Sequence, residues 1–326
     1  MRLFELDLDH VLEHTRGIWE DVRGERLFLT GGTGFVGTWL LDSFRWANAR
    51  LKLGAKAVVL SRCPPLTNDP AVKFIQGDAV SFDRPPGSFG FVIHAATERG
   101  ADSFRRDIQT TQRVLDFAAN CGAKRLLFTS SGAVYGHQPQ EITHLLETYS
   151  GAPLTTDIHS AYGQGKRASE FLCTGSGAVI ARLFAFVGPH LPLNAHYAVG
   201  NFIGNVLRSE PITITGDGTP YRSYLYAADM AIWLWTMLLR GANGEAYNVG
   251  SPEEVSILRL AETVAENTRP GTRIVTNSVA QPGALPLRYV PSIVRAQQEL
   301  GLKVRIPLAE AIRRTYEWHL RQIETT

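Results

Sequence analysis

An α/β protein built on a doubly wound parallel sheet is the architecture this residue pattern predicts, on three grounds. Short apolar runs of strand length alternate with helical patterns through the first half of the chain. A glycine-rich turn, G-G-T-G-F-V-G at Gly31 to Gly37, joins the first such strand to a long helix. Beyond Arg182 the alternation gives way to loops such as G-P-H-L-P-L-N-A-H and G-D-G-T-P, so a second, smaller region begins there.

The elements follow in order. A helical lead-in precedes R-L-F-L-T (Arg26 to Thr30), a short apolar strand, and T-W-L-L-D-S-F-R-W-A-N-A carries the helix after the glycine turn. Further strands are expected at Ala57 to Leu60, Val72 to Ile75, Phe91 to His94, Arg125 to Thr129 and Ala178 to Arg182. Helices are expected at Asp107 to Ala119, Tyr162 to Cys173, Ser256 to Asn267 and Pro307 to Ile323. The apolar run Ala231 to Leu239 is far short of the roughly 20 residues that span a bilayer and reads as a buried helix. This divides the chain into an N-terminal helical extension (1–25), a dinucleotide-binding domain (26–183) and a mostly C-terminal substrate-binding region (184–326). Part of 224–250 is expected to pack back on the sheet domain.

Composition narrows the function. The 326 residues are 44% hydrophobic, enough for a substantial core, and the formal net charge is only +2. No broad basic field favours nucleic acid or a membrane surface, so an anionic ligand must be met by local groups. Cys63, Cys121 and Cys173 lie far apart, with neither a C-x-x-C pair nor a histidine cluster, which argues against disulfides and structural zinc. No metal is expected, and a reducing, cytoplasmic setting fits. The acid-rich N-terminus resembles neither a signal peptide nor a basic transit peptide.

The glycine turn fits both G-x-x-G-x-x-G and G-x-G-x-x-G. Either spacing brings backbone N–H groups and a helix N-terminus to a pyrophosphate. At the end of the second strand, Ser61 and Arg62 stand where an NAD-specific fold usually carries an acid for the ribose hydroxyls. Arg62 can instead pair with the 2′-phosphate of NADP, so NADP(H) is preferred and NAD remains open. Asp78 either meets the adenine amino group or serves as a turn residue. T-S-S-G-A-V-Y-G (Thr129 to Gly136) brings Ser130 or Ser131 to the C-terminal end of a strand, the edge at which open α/β sheets bind ligands. In S-A-Y-G-Q-G-K, Tyr162 and Lys166 share a helix face, and a neighbouring ammonium stabilises the phenolate that proton transfer requires. Gly163 and Gly165 weaken that helix, and their missing side chains leave room for cofactor, sugar or close packing.

Taken together, these stretches resemble the extended short-chain dehydrogenase/reductase superfamily, in its nucleotide-sugar epimerase/dehydratase branch. The likeness continues through V-I-H-A-A (Val92 to Ala96), R-L-F-A-F-V-G-P (Arg182 to Pro189), G-D-G-T-P-Y-R-S-Y-L-Y-A-A-D (Gly216 to Asp229) and A-Y-N-V-G. It implies a Rossmann-like fold and a catalytic set of Ser131, Tyr162 and Lys166. It also implies an NAD(P) site formed by Gly31, Thr33, Gly34, Phe35, Val36, Arg62, Asp78, Ala79, His94, Ala95, Ala96, Tyr162 and Lys166. Ser131, Gly132, Ala133 and Arg222 would meet a nucleotide sugar, with Arg222 on its diphosphate, and a homodimer would pair the helices after Asp107 and Tyr162.

Departures from the family pattern narrow the chemistry. The 4,6-dehydratases carry Asp-Glu after the catalytic hydroxyl residue, and UDP-glucuronate decarboxylases carry a glutamate at the second position. Gly132 and Ala133 stand there instead, and neither can move a proton. The GDP-fucose synthase branch places a cysteine at the position of Gly132. Hydride transfer at sugar C4 remains, either as a 4-epimerase or as an NADPH-dependent 4-ketoreductase. Ala185 and Ser223 replace residues common in the family, which leaves room for a non-catalytic dinucleotide-binding protein, and Asp107 replaces the family's asparagine, which alters the hydrogen bonding expected beneath Tyr162. Arg222 argues against reduction of a small carbonyl compound without a nucleotide.

Overall fold

The computed structural model describes residues 3–324 except 67, 99, 101, 196 and 282. Its main sheet contains β1 (Arg26–Thr30), β2 (Lys56–Ser61), β3 (Val72–Gln76), β4 (Phe91–His94), β5 (Arg125–Ser131), β6 (Val179–Leu183) and β7 (Ala246–Val249). All neighbours are parallel, in the order β7-β6-β5-β4-β1-β2-β3. Most strand residues are buried, as continuous apolar runs require when helices cover both faces of a parallel sheet. The order reverses between β1 and β4, which opens a crevice beyond the strands' C-terminal ends.

The helices are α1 (Leu3–Thr15), α2 (Phe35–Leu51), α3 (Ser103–Asn120), α4 (Ala161–Thr174), α5 (Ala198–Leu207), α6 (Ala227–Arg240), α7 (Ile257–Thr268), α8 (Val294–Leu300) and α9 (Leu308–Glu324). Most expected boundaries lie within a residue or two of the observed ones. Three helices start earlier than expected: α2 at Phe35 rather than Thr38, α6 at Ala227 rather than Ala231, and α3 at Ser103 rather than Asp107. In α3 the reason is local. Its first inward residues, Ser103 and Asp107, are both polar, so the apolar periodicity becomes visible only after the first turn. The apolar α6 lies inside the main core, with Trp233 and Trp235 fully buried, and among the described residues no helix is long and apolar enough to cross a membrane.

The N-terminal extension is part of the packed body. Buried Asp7 on α1 accepts hydrogen bonds from Tyr226 (2.5 Å) and from Arg314 on α9 (2.7 Å), joining the first helix to the last. Burial pushes the Asp7 carboxyl above its ordinary range, although Tyr226 and Arg314 oppose the shift. The strand Ala246–Val249, far along the chain, pairs with β6 and completes that edge of the sheet.

Candidate active site

The glycine turn follows directly from β1. Gly31 has φ of +73°, and a Cβ there would lie 2.6 Å from the Ala95 carbonyl group, so both its conformation and its space demand glycine. Gly34 differs: a Cβ would meet only the Gly31 oxygen, at 3.4 Å, and its face opens on the crevice. It caps α2 without any side chain satisfying the helix's first N–H groups. Those donors await an outside acceptor, and the arrangement fits a dinucleotide pyrophosphate.

A cavity of about 270 Å³ extends from this turn and is lined by Thr33, Arg62, Asp78, Ala79, Ala95 and Ala96, among others. Charges alternate along its mouth. Arg62 pairs with Glu98, Glu98 also pairs with Arg106, and Arg106 donates to Asp78 at 2.6 Å. The Val80 N–H and then Arg106 hold the Asp78 carboxyl below its usual range. Asp78 lines the cavity with one bond on each carboxylate oxygen, and each oxygen keeps a lone pair for a further donor, so both the turn role and the adenine contact stand.

His94 lies beneath the crevice rather than on its wall. Its Nδ1 is 2.9 Å from Thr30 Oγ1 and its Nε2 3.2 Å from Thr111 Oγ1. Burial, aided by the charge of Lys166, pushes its pKa down to about 3, so a neutral ring ties β4 to β1 and α3. The His94 ring thus serves the packing of β4 against β1 and α3, and the expected place of this residue at the cofactor site remains a proposal.

A second cavity, of about 980 Å³, is lined by Phe35, Val36, Ser131, Ala133, Tyr162, Lys166 and Arg222 among others. Helix α4 carries Tyr162 and Lys166 one turn apart. The buried Lys166 ammonium lies 6.0 Å from the Tyr162 ring centroid and donates to the Thr129 carbonyl at 3.2 Å. The two serines at the end of β5 have different surroundings. Ser130 donates to Glu170, itself clamped by Arg182 at 2.7 Å, within a buried network that continues to Tyr135 and Asn248. Ser131 accepts from the Ala133 N–H at 3.1 Å and lines the larger cavity. Geometry therefore favours Ser131 where the residue pattern left both serines open.

The two glycines of α4 are packing features. A Cβ on Gly163 would lie 2.7 Å from the Ala133 carbonyl oxygen, and one on Gly165 would lie 3.0 Å from the Phe104 Cα and 3.3 Å from the Asp107 Cβ. Of the three uses expected for these glycines, close packing is the one observed. On the opposite wall, the short strands Tyr221–Arg222 and Arg288–Tyr289 pair in parallel, with Arg222 opposite Tyr289. Tyr289 escapes the sequence reading because no local motif marks it. Only the pairing of two distant short strands brings it to the cavity.

Residues 27–250 match the model of the NAD dependent epimerase/dehydratase family. The chain belongs to that family. Among curated relatives, it is 29% identical to UDP-glucuronic acid decarboxylase 6 of Arabidopsis thaliana, over 88% of this chain and 86% of that protein. It is 27% identical to UDP-glucuronic acid decarboxylase 1 of Xenopus tropicalis, over 92% of this chain and 73% of that protein. Among solved structures, UDP-glucose 4-epimerase of Thermotoga maritima superposes with a TM-score of 0.77 at 20% identity, covering 91% of this chain and 99% of that one. The dTDP-glucose 4,6-dehydratase DesIV of Streptomyces venezuelae, with NAD bound, gives 0.77 at 22% identity, over 92% and 98% of the two chains. The family match places the chain among NAD dependent epimerases and dehydratases, and the solved structures share its Rossmann-like sheet.

Proposed function

We propose that this enzyme acts by hydride transfer at C4 of a nucleotide-activated sugar, as a 4-epimerase. One observation carries the reading: Ser131, Tyr162 and Lys166 share a cavity beside the glycine turn, and among the described residues no aspartate or glutamate lines that cavity. The sequence relatives named as decarboxylases pull the other way. The family pattern expects a carboxylate from the two positions after Ser131, and Gly132 and Ala133 supply none.

A nicotinamide dinucleotide bound along the turn would accept and return the hydride. Tyr162 takes the proton from the sugar O4 and later restores it, while Ser131 holds that oxygen by a hydrogen bond. The Lys166 ammonium opposes the negative charge that develops on the phenol oxygen during transfer. Arg222 supplies a cation on the far wall for the diphosphate. A 4-ketoreductase uses the same groups for the second half alone, with NADPH giving hydride to a 4-keto sugar while Tyr162 gives the proton to its oxygen. Arg62 at the mouth of the smaller cavity favours it through a 2′-phosphate contact.

Incubating the purified protein with UDP-, dTDP- and GDP-sugars, while following both epimer formation and NADPH loss, tests the reading. Epimer formation supports it, NADPH loss with a 4-keto sugar selects the reductase, and silence across the panel in folded protein sinks both. The partner is a second copy of the chain, paired across α3 and α4, where Phe171 is 81% exposed beside Phe104, Ile108 and Leu172. Phe171→Glu is expected to halve the sedimentation mass; a wild-type mass of one chain would remove the dimer.

A further inference from the structure

We propose that Tyr289 is a positioning and specificity-determining residue, occupying with its phenol the space that a side chain at position 132 would fill and holding the Ser131 hydroxyl in place. This rests on the hydride-transfer reading above and sharpens it.

The steric observation comes first. A Cβ built on Gly132 would lie 2.5 Å from Tyr289 Oη and 2.8 Å from the Phe184 ring. Real Cβ atoms do not approach other groups that closely, so the proton-transferring residue that dehydratases place directly after the catalytic hydroxyl would fit here only if the Tyr289 and Phe184 rings moved aside. The Phe184 and Tyr289 rings pack with centroids 4.7 Å apart, and the backbone pairing opposite Arg222 anchors the tyrosine from behind. Glycine at 132 and tyrosine at 289 form one arrangement.

Hydrogen bonding gives the second observation. Ser131 Oγ accepts from the Ala133 N–H, and both its hydroxyl and the Tyr289 phenol line the larger cavity, near enough that the serine draws the phenol's pKa down against burial. A hydroxyl has one proton to give. If Ser131 gives it to Tyr289, the tyrosine keeps its own O–H for an oxygen of the sugar. Burial holds the Tyr289 phenol above the ordinary phenol range, so at neutral pH it serves as a neutral donor and not as a base. Tyr162 therefore remains the proton acceptor, and the wall that would otherwise abstract a proton beside C4 only binds.

Tyr289→Phe keeps the ring and removes the oxygen. With whichever nucleotide sugar the unmodified enzyme turns over, the variant is expected to lose roughly tenfold or more in kcat/KM. Its melting temperature and its affinity for the dinucleotide should stay unchanged. Ser131→Ala and the double variant complete a cycle: if Tyr289 acts through Ser131, the double variant is no slower than Ser131→Ala alone. Unchanged kcat/KM in Tyr289→Phe, or strictly multiplicative losses in the cycle, would overturn the positioning role while leaving the hydride-transfer reading intact. No turnover by the unmodified enzyme with any sugar removes that reading and this proposal together.

Discussion

The two cavities differ in how their walls are assembled. The smaller is built from strand ends and the turns that follow them, so Gly31, Thr33, Gly34, Arg62 and Asp78 each stand within a short motif beside a recognisable strand. The larger gathers its walls from far apart: Ser131 from β5, Tyr162 and Lys166 from α4, Arg222 and Tyr289 from a pair of two-residue strands in the C-terminal half. A phosphate site needs little more than backbone donors at a helix end, which local sequence can encode. A sugar site needs side chains converging from several directions, which only the tertiary fold supplies.

The two cavities meet at Gly31, Gly34, Ala95 and Thr97 but are built for different tasks, and the sharpest way to break this comparison is Tyr162→Phe. Loss of the proton-transferring oxygen is expected to lower kcat by about 10²- to 10⁴-fold, while dinucleotide affinity, read by fluorescence titration, stays within about twofold. A parallel fall in dinucleotide affinity would mean that the two cavities work as one site. A near-normal rate would take Tyr162 out of the chemistry.

The packing of α4 against α3 behind the larger cavity is tested by Gly165→Val. Helix propensity alone favours the change by a few tenths of a kcal/mol, because valine is a better helix former than glycine. Opposing this, the new Cβ would meet the Phe104 Cα at 3.0 Å, and the branched methyls have α3 backbone in their way. Overpacking against backbone costs about 1–3 kcal/mol, so sterics outweigh propensity and the melting temperature should fall. Activity per folded molecule should change much less. A variant of normal stability that bound ligand poorly would restore the expectation that this glycine clears space for the ligand.

Legibility in the sequence follows the same division. Strand runs, the glycine turn and the Tyr162/Lys166 pair depend on short-range periodicity, and the structure places them where the pattern predicts. The local pattern alone left Ser130 and Ser131 open, and the family resemblance pointed to Ser131. The reason Ser130 is engaged elsewhere, the buried Glu170–Arg182 pair, becomes visible only when α4 and β6 meet behind β5. His94 sits in a motif that resembles a cofactor loop, yet alternation along β4 turns its ring into the protein, toward Thr30 and Thr111. The N-terminal helix offered charges without a pattern. Its Asp7 becomes intelligible only beside Arg314, at the other end of the chain.

Arg62 tests the smaller cavity alone and carries the smallest expected effect. The arginine can pair with a 2′-phosphate, but Glu98 already holds it and the side chain remains largely exposed, so any phosphate must compete with a carboxylate and with water. Under those conditions an arginine-phosphate pair contributes far less than a buried one. Arg62→Ala is therefore expected to weaken NADP(H) binding by only about tenfold, to leave NAD(H) within about twofold, and not to alter the KM for the sugar. Equal losses for both dinucleotides would show that Arg62 acts on the shared ribose and not on the 2′-phosphate. No loss for either would make its pairing with Glu98 a purely structural contact at the cavity mouth.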